Sequence, residues 1–452
     1  MRIKLSLPLS LFEICSILDT ARPEEDATVD YITFDSRTAQ SGDLFIALRG
    51  SKYNGADFSE EALAKKSYVI AEWGNNITMK VSDAKTALLQ LTKYYKSKLP
   101  NLKHTVAITG SVGKTTTKEF AAALLSQKYI VHATAKNQNN FIGAAFTVFS
   151  APAETEILIL EIGMNHLGEI SEISGTVNPD IAVITNIGNA HIGNLKSRSN
   201  IAKAKTEITD GMMNGTVLVP FDEPLLSGIS KRMTVSLTDG QANFFLIPLA
   251  INETGSIFDF YSSKKIFLSK RLNVIGKHHL HCFAYALSVA VLLGMDDAEL
   301  TSALKHIDST LLRQKRIQIG LYDIFDDTYS SSPEAVIETM KMLTIYKSIR
   351  KSAVLGDMLE LGDKSEEMHY KIGKCATECG FNRLYLYGKF SSYTAHGAES
   401  SGMNKNRIHI NSDISAPEIT VSQIKATYNG ELMIIKGSHD LHMEKIITLL
   451  SE

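Results

Sequence analysis

The chain has 452 residues, which is long enough for two or three domains that each bury a hydrophobic core. Hydrophobic residues make up 44% and charged residues 21%, as in globular proteins, and the formal net charge of −2 gives no general electrostatic reason to bind nucleic acid or a membrane surface. Four cysteines are too few for a disulfide framework, and no apolar segment approaches the roughly 20 residues of a membrane span, so we expect a soluble cytoplasmic protein with reduced thiols.

The first 100 residues alternate short apolar runs with helical patterns. Strands are predicted at 30–34, 44–48 and 68–71, and helices at 57–66 and 83–98. The polar turn Asp35-Ser36-Arg37 separates the first two strands. An arginine beside a serine and turn backbone suits a phosphate or diphosphate, although a surface arginine in a polar turn is the simpler interpretation of these residues alone. Leu99-Pro100-Asn101 is the predicted linker to the next unit.

A glycine-rich turn follows the apolar run Val106-Ala107-Ile108 and precedes a segment of helical composition. Its residues are Gly110, Ser111, Val112, Gly113, Lys114, Thr115 and Thr116. At such a strand–helix junction, backbone N–H groups and the helix N-terminus can hold phosphate oxygens, while the lysine reaches the β- and γ-phosphates and the first threonine ligates Mg²⁺. The strict P-loop spacing is not met, because Ile108 stands where the first glycine belongs. An ordinary Gly-Ser turn is the alternative, but the placement before a helix favours nucleotide binding.

Two further candidates lie at the ends of predicted buried strands. Glu161 lies near the end of the apolar run 156–162, and His191 follows the run 181–185. Open α/β sheets bind ligands at the carboxyl ends of their strands, so both side chains could reach a metal beside the glycine-rich turn. A structural role for each is about equally compatible with the sequence. Lys205 lies on the helix that follows, where a solvated surface position is the simpler interpretation.

The remainder of the chain contains a β-rich segment and a second α/β unit. Residues 212–270 predict an antiparallel flank, and a helix begins at Gly276 and runs to Leu293. From residue 311 onwards, apolar runs lie at 317–325, 353–355, 383–387 and 432–435, and helices begin near Pro333, Ser365 and His439. Several runs end in polar loop residues, which predicts a doubly wound α/β domain with polar groups gathered at strand ends.

The order and spacing of several short motifs resemble the Mur ligase family, ATP-dependent ligases that build the peptide of bacterial cell-wall precursors. The resemblance covers nearly the whole chain. The matching stretches are, in order, F-D-S-R-T-A-Q-S-G-D-L-F-I-A-L-R-G, T-G-S-V-G-K-T-T-T-K-E, N-Q-N-N-F-I-G, E-I-G-M-N-H-L-G-E-I, T-N-I-G-N-A-H-I, A-K-A-K-T-E-I, D-D-T-Y-S-S-S-P, V-L-G-D-M-L-E-L-G and I-K-G-S. The fourth and eighth stretches are most similar to the family members that add D-alanyl-D-alanine to UDP-N-acetylmuramoyl-tripeptide.

The resemblance implies an α/β fold of three domains. Residues 1–100 would form a small N-terminal α/β domain for the UDP-muramoyl peptide, residues 101–310 a central P-loop ATPase domain with a mostly parallel sheet, and residues 311–452 a C-terminal Rossmann-like ligase domain. The implied reaction activates the peptide carboxylate as an acyl phosphate, which the amine of D-Ala-D-Ala then attacks. UDP-muramoyl-tripeptide and D-Ala-D-Ala are the implied partners, with no nucleic acid, no stable membrane association and a monomer as the default expectation.

The resemblance also implies roles for individual residues. ATP and two Mg²⁺ ions are the implied cofactors. By resemblance, Lys114 grips the phosphates and Thr115 holds one Mg²⁺, while Glu161, His191 and a carbamate on Lys205 hold the second. The other implied positions are Asn137 and Asn140 near the acyl phosphate, Arg316 and Asp327 at the nucleotide, and Asp35, Ser36 and Arg37 at the UDP moiety.

Three stretches depart from the family pattern. The family motif G-x-H-N-x-x-N reads G-K-H-H-L-H-C in this chain, and its last residue is Cys282. In the motif D-x-Y-N-A-N-P, Ser330 and Ser332 replace the two asparagines. In the motif K-G-S-R, His439 replaces the arginine. The alternatives are a Mur-like ligase with a variant dipeptide or another amine, a folylpolyglutamate-type ligase, a nucleotide-dependent switch without ligase chemistry, and a degenerate scaffold that still binds nucleotide. The D-S-R-containing first domain argues against the folylpolyglutamate type.

Overall fold

The computed structural model describes residues 2–50, 52–263, 265–308, 311 and 314–452 of the protein. The described strands form three separate β-sheets, each built from one part of the chain and accompanied by helices. The predicted α/β class with three sheet-containing domains is confirmed. The domain limits stay predictions, and residue 310 lies outside the described residues. No helix in the described part of the chain has the length and apolar character needed to cross a membrane.

The first sheet has five strands that follow one another in chain order. Its elements are β1 (Arg2–Ser10), α1 (Leu11–Leu18), β2 (Thr28–Thr33), β3 (Leu44–Ile46), α2 (Ser59–Ala64), β4 (Tyr68–Ala71), β5 (Met79–Lys80) and α3 (Ala84–Lys98). β1 pairs antiparallel with β2, and the other pairs are parallel. β1 was not predicted, yet it alternates as a half-buried strand should, with Ile3 and Leu5 buried and Lys4 exposed between them.

The central sheet has nine strands in the order β14-β13-β12-β11-β10-β9-β6-β8-β7. Its strands are β6 (His104–Thr109), β7 (Val131–Ala133), β8 (Ile157–Glu161), β9 (Ile181–Ile184), β10 (Thr216–Pro220), β11 (Arg232–Ser236), β12 (Phe244–Asn252), β13 (Gly255–Ser262) and β14 (Ile266–Leu272). Its helices are α4 (Lys114–Leu125), α5 (Phe141–Phe149), α6 (Glu169–Val177), α7 (Ile192–Leu195), α8 (Arg198–Thr206), α9 (Lys277–Leu292) and α10 (Asp297–Leu304).

The central sheet is parallel from β7 to β12, and only β12, β13 and β14 pair antiparallel. The antiparallel flank predicted for residues 212–270 is therefore confined to the last three strands, because β10 and β11 extend the parallel sheet. β6 lies between β8 and β9. The glycine-rich turn after β6 consequently leaves the middle of the sheet, beside the carboxyl ends of both neighbouring strands.

The third sheet has six strands in the order β15-β16-β20-β17-β18-β19. Its elements are β15 (Lys315–Ile319), β16 (Tyr322–Asp327), α11 (Pro333–Leu343), β17 (Lys351–Gly356), α12 (Ser365–Glu378), β18 (Arg383–Tyr387), α13 (Ser391–Ser400), β19 (Ile408–Asn411), α14 (Pro417–Thr427), β20 (Leu432–Lys436) and α15 (Glu444–Ser451). The run predicted at 317–325 is a hairpin rather than one strand, because Gly320 turns the chain at a φ of 54°. The helix predicted near His439 begins only at Glu444.

Contacts between the domains place the glycine-rich turn in a cleft. The first domain packs on the central one, where the ring of Tyr95 in α3 meets Phe149 in α5 edge-on with centroids 5.3 Å apart. The third domain reaches the central one through loops, and the backbone N–H of Gly193 donates to the carbonyl of Glu360 at 2.9 Å. The cleft between the central and third domains is the candidate site.

Candidate active site

The glycine-rich turn has a backbone that only glycine allows at two positions. Gly110 has a φ of 151°, and a Cβ there would lie 1.8 Å from the hydroxyl of Thr185. Gly113 has a φ of 83°, and its Cβ would lie 2.8 Å from the sulfur of Cys282. The turn therefore packs directly against β9 and α9, which fixes its shape without help from its own side chains.

Asn186, two residues beyond the end of β9, holds the turn in place through its side-chain amide. Its Oδ1 accepts from the backbone N–H groups of Ser111 at 3.1 Å and Val112 at 3.0 Å, and its Nδ2 donates to the carbonyl of Val112 at 3.0 Å. The hydroxyl of Ser111 in turn accepts from the N–H of Gly188 at 2.8 Å. Asn186 was not predicted as a site residue, although an asparagine shortly after a buried strand was the available signal.

Lys114 and Thr115 begin α4 and face the carboxyl end of β8. The ammonium of Lys114 donates to the carbonyl of Gly110 at 2.8 Å. The hydroxyl of Thr115 donates to Oε2 of Glu161 at 2.6 Å, and Asn139 donates to Oε1 of the same carboxylate at 3.0 Å. Glu161 is 2% exposed. The structure thus brings Lys114, Thr115 and Glu161 together as predicted and adds Asn139, which the sequence analysis had not named.

A hydroxyl and a carboxylate in contact are the oxygen ligands that Mg²⁺ prefers. The Thr115–Glu161 pair therefore fits one magnesium ion. No group of three or more His, Cys, Asp and Glu side chains arranged for a metal occurs in the described part of the chain. The second ion that the resemblance implies stays a prediction.

Lys205, in the last turn of α8, is 2% exposed. The described residues offer its ammonium group no hydrogen bond and no ion pair. Burial lowers the pKa of Lys205 well below its ordinary value, and the charge of Lys114 lowers it further. The simpler interpretation of a solvated surface lysine is therefore wrong. Lys205 is not among the residues that line the cleft.

His191 follows β9 and adopts a left-handed backbone with a φ of 63°. Its Nδ1 lies 2.6 Å from Oε2 of Glu360 in the third domain. This contact with His191 lowers the pKa of Glu360. The imidazole thus lines the same cleft as Glu161, as expected from their strand ends, but the side chain that it contacts belongs to the other domain.

The cleft encloses a cavity of about 810 Å³ between the central and third domains. Its lining from the central domain includes residues 111–116, Asn137, Asn139, Glu161, residues 185–188, His191, His278, His279 and Cys282. Its lining from the third domain includes Asp327, residues 329–332, Glu334, Glu360, Lys436, Ser438 and His439. Departures from the family pattern therefore lie at the cavity, among them Cys282, Ser330, Ser332 and His439.

The start of α9 contributes a buried histidine pair to this lining. The rings of His278 and His279 lie 3.9 Å apart, and Nδ1 of His279 is 2.7 Å from the carbonyl of Ile275. Burial lowers the pKa of His278 to about 4 and that of His279 well below its ordinary value. Both imidazoles are therefore neutral at physiological pH and present polar groups without charge.

Asp327, at the end of β16, is held in a buried network. Its Oδ2 accepts from Lys436 at 2.7 Å, from Gln314 at 2.9 Å and from the hydroxyl of Thr339 at 3.0 Å. Asp327 is 6% and Lys436 2% exposed. The network connects β16, β20 and α11, so it sets the position of the third domain's polar edge in the cleft.

We expect Lys436→Met to lower the thermal unfolding temperature of the third domain. The change leaves the Asp327 carboxylate buried without its cation, which typically costs about 3–5 kcal/mol. Arg316→Met is the matched control, because Arg316 forms a more exposed pair with Asp323 and such pairs contribute only about 0–1 kcal/mol. Calorimetry on both variants checks the prediction, and equal unfolding temperatures in the two would contradict it.

Two residues predicted at the nucleotide or acyl phosphate do not line the cavity. Arg316 points its guanidinium at Asp323 of the same hairpin, with bonds of 2.9 Å and 2.6 Å, because both side chains share one face of the antiparallel pair. Asn140 caps α5, where its Oδ1 accepts from the N–H of Gly143 at 2.9 Å. Asn137 does line the cavity, and Asn139 lies there beside it.

The predicted UDP-facing turn lies in the first domain, outside this cavity. The guanidinium of Arg37 donates to both oxygens of Asp35 at 2.9 Å and 2.8 Å, and this pairing lowers the pKa of Asp35 to about 2. The hydroxyl of Ser36 donates to Glu61 at 2.7 Å, and Lys65 donates to the carbonyl of Ser36 at 2.7 Å. The Arg37 side chain is 81% exposed, so it is available to a ligand at this turn.

Comparisons with known proteins agree with this arrangement. Residues 108–290 match the Mur ligase middle domain family. A UDP-N-acetylmuramoyl-tripeptide--D-alanyl-D-alanine ligase from Bacillus subtilis is 33% identical over 449 residues, which cover 96% of this chain and 95% of that protein. A crystal structure of MurF from Acinetobacter baumannii shares 26% identity with a TM-score of 0.88, covering 99% of this chain and 100% of that chain.

MurF ligase from Thermotoga maritima in complex with ADP is also similar, at 26% identity with a TM-score of 0.80, covering 93% of this chain and 96% of that chain. A folylpolyglutamate synthase from the same organism shares 15% identity with a TM-score of 0.57, a likeness that shows the fold alone. The similarity to the MurF structures extends over all three sheets of this chain. The chain belongs to the Mur ligase family, in its UDP-N-acetylmuramoyl-tripeptide–D-alanyl-D-alanine ligase branch.

Proposed function

We propose that this protein forms an amide bond at the expense of ATP and adds D-alanyl-D-alanine to UDP-N-acetylmuramoyl-tripeptide in peptidoglycan precursor synthesis. The observation that carries the proposal is the meeting of Lys114, Thr115 and Glu161 in a cavity shared by two domains. The cavity volume suits a nucleotide together with the reacting ends of two substrates.

The first step requires positive charge at the phosphates. The peptide carboxylate attacks the γ-phosphorus of ATP, an O–P bond forms, and ADP leaves. Lys114 supplies a fixed cation at the start of α4, where the helix N-terminus also favours phosphate. Magnesium bound at Thr115 and Glu161 would neutralise phosphate oxygens and orient the γ-phosphate for in-line attack.

Lys205 is proposed to contribute an oxygen ligand rather than a cation. Burial lowers the pKa of Lys205 well below its ordinary value, which favours the neutral amine, and that form adds CO₂ with formation of an N–C bond and loss of one proton. The resulting carbamate would supply an additional oxygen donor of the kind that Mg²⁺ prefers. His191 would join it, after exchanging its contact with Glu360 for the ion.

The second step requires a dry site. The free amine nitrogen attacks the acyl carbon and a C–N bond forms. The C–O bond to the phosphate then breaks, and the departing phosphate takes the proton that the nitrogen loses. Asn137 and Asn139 stand at the cavity with amide groups that can hold the acyl phosphate oxygens. Asp327 and the loop at Glu360 bring the third domain over the central one, which excludes water that would hydrolyse the acyl phosphate.

The first domain is proposed to bind the UDP end of the acceptor. Arg37 is the exposed cation of the Asp35-Ser36-Arg37 turn and is suited to a diphosphate. Because UDP-linked precursors and ATP are cytoplasmic metabolites, we place the reaction in the cytoplasm, with the protein acting as a monomer. The second candidate is the same ligase chemistry with a variant dipeptide, which the cavity positions of Ser330, Ser332 and His439 favour.

Omission of single substrates tests the proposal. Among assays that omit one substrate at a time, we expect multiple-turnover release of ADP and phosphate only in the complete mixture of Mg-ATP, UDP-N-acetylmuramoyl-tripeptide and D-Ala-D-Ala. Release with the tripeptide and a different amine, but not with D-Ala-D-Ala, would move the function to the second candidate. Absence of ADP release with every acceptor and amine would contradict the ligase assignment.

A further inference from the structure

Glu334 is a carboxylate in the cleft that neither the phosphate contacts nor the magnesium site uses. It lies in the first turn of α11, directly after Pro333, and lines the cavity from the third domain. Its Oε1 accepts from the backbone N–H of Asn189 at 2.9 Å and from the side-chain amide of Asn189 at 2.6 Å. These two bonds cross between the domains and fix the direction of the carboxylate.

The second carboxylate oxygen of Glu334, Oε2, takes no part in these bonds. Oε2 is buried and has no hydrogen-bond partner anywhere in the described ranges of the chain. A carboxylate only accepts hydrogen bonds, and a buried acceptor without a donor is costly. Because this oxygen belongs to a cavity residue, a ligand is the natural source of its donor.

The carboxylate stands directly beside the phosphate loop. A Cβ placed on Gly188 would lie 3.1 Å from Cδ of Glu334 and 3.1 Å from Cβ of Ser111. Gly188 itself donates to the hydroxyl of Ser111. A group bound at Oε2 would therefore be close to the acyl phosphate that the proposed function forms at this loop.

The charges of the substrates select the group that fits. Phosphate oxygens and the peptide carboxylate are acceptors and anions, so a carboxylate repels them. The proposed function places magnesium at Thr115 and Glu161, and no group of three or more His, Cys, Asp and Glu side chains suited to a metal includes Glu334 within the described residues. The ribose hydroxyls and the base amino group are neutral donors, whereas the amino end of D-Ala-D-Ala is a cation, and charge-assisted hydrogen bonds are about twice as strong as neutral ones.

We propose that Glu334 binds the ammonium group of the incoming amine substrate and positions its nitrogen beside the acyl phosphate. The inference rests on the proposed function and assigns the place of the second substrate within it. Asn189 serves as a positioning residue, because it holds the other carboxylate oxygen and so fixes the orientation of the Glu334 carboxylate.

Steady-state kinetics of Glu334→Gln test the assignment. We expect the KM for D-Ala-D-Ala to rise by about 10–100-fold, because a charged hydrogen bond is lost, while the KM values for ATP and the tripeptide stay within about 2-fold. The KM of Glu334→Asp for D-Ala-D-Ala should lie between the values for wild type and Glu334→Gln, because this variant keeps the charge. Glu418→Gln is the matched control, since Glu418 follows Pro417 at the start of α14 as Glu334 follows Pro333, but is exposed and outside the cavity.

Trapping with hydroxylamine separates this inference from the proposed function. Hydroxylamine is largely uncharged at neutral pH, so it should capture the acyl phosphate as a hydroxamate equally well in wild type and Glu334→Gln. A wild-type KM for D-Ala-D-Ala in Glu334→Gln would overturn the assignment, as would a parallel rise of all three KM values with loss of hydroxamate. A wild-type protein that forms neither pentapeptide nor hydroxamate would instead contradict the ligase function.

Discussion

Lys114→Ala is expected to abolish ADP formation. Lys114 is the first residue of α4, next to the glycine-rich turn, and its ammonium group donates a hydrogen bond to the carbonyl of Gly110. Removing a fixed charge that stabilises a reaction's developing anion typically costs about 100–1000-fold in kcat, and the loss of phosphate grip should raise the KM for ATP as well. ADP release in the presence of all three substrates is the measurement.

The matched control for Lys114→Ala is Lys103→Ala. Lys103 belongs to the same domain, and its side chain is 55% exposed and paired with Glu156. We expect near wild-type turnover from that variant. Normal turnover in Lys114→Ala would show that the turn does not hold the reacting phosphates, and the nucleotide site would have to lie elsewhere.

Lys205→Ala is expected to stop ligation while leaving ATP binding largely intact. Lys205 is buried and lies outside the cavity lining, so its loss would remove the proposed carbamate oxygen without removing a nucleotide contact. We expect a fall in kcat of about 100-fold or more, with the affinity for ATP changed only a few-fold. Fluorescence titration with a nucleotide analogue and turnover measurements together check this prediction.

Chemical rescue distinguishes a carbamate from an ordinary buried lysine. Acetate or formate can place a carboxylate in the space left by Lys205→Ala, so either should restore part of the rate. Lys203→Ala, an exposed change on the same helix α8, should behave as wild type and gain nothing from the added acids. Unchanged turnover in Lys205→Ala would remove the carbamate from the mechanism.

The glycine-rich turn and its neighbours could be predicted because their residue types are set by the backbone conformation. Gly110 and Gly113 adopt conformations and packing distances that exclude side chains, and Lys114 and Thr115 follow at the start of a helix. Glu161 lies at the end of a strand adjacent to β6. Local patterns of this kind depend on a few consecutive residues, so a sequence carries them almost completely.

The residues that join the domains were not predictable in the same way. Asn189, Glu334 and Glu360 lie in loops or first helical turns, and each one contacts a residue distant in sequence. Their contacts depend on how the central and third domains pack against each other, and the local hydrophobic periodicity of a sequence does not contain that information. Arg316 shows the same dependence on tertiary structure, because in the hairpin of β15 and β16 its guanidinium contacts Asp323, and its place at the nucleotide stays a prediction.

The departures from the family pattern acquire a physical meaning only in the structure. Cys282, Ser330, Ser332 and His439 were separate differences along the chain, and they meet around one cavity. The phosphate end of that cavity keeps Lys114, Thr115 and Glu161. These departures therefore lie away from the residues proposed to bind phosphate, so we expect them to affect substrate choice before they affect the chemistry.

Product analysis with a labelled acceptor tests the central claim most directly. The protein would receive Mg-ATP, D-Ala-D-Ala and UDP-N-acetylmuramoyl-tripeptide carrying ¹⁸O in its terminal carboxylate, and mass spectrometry would follow every product. Because an acyl phosphate transfers one carboxylate oxygen to the departing phosphate, the account predicts UDP-muramoyl-pentapeptide, ADP and phosphate that contains ¹⁸O. Pentapeptide formed with unlabelled phosphate would contradict the acyl phosphate, and no amide product with any amine would contradict ligation itself.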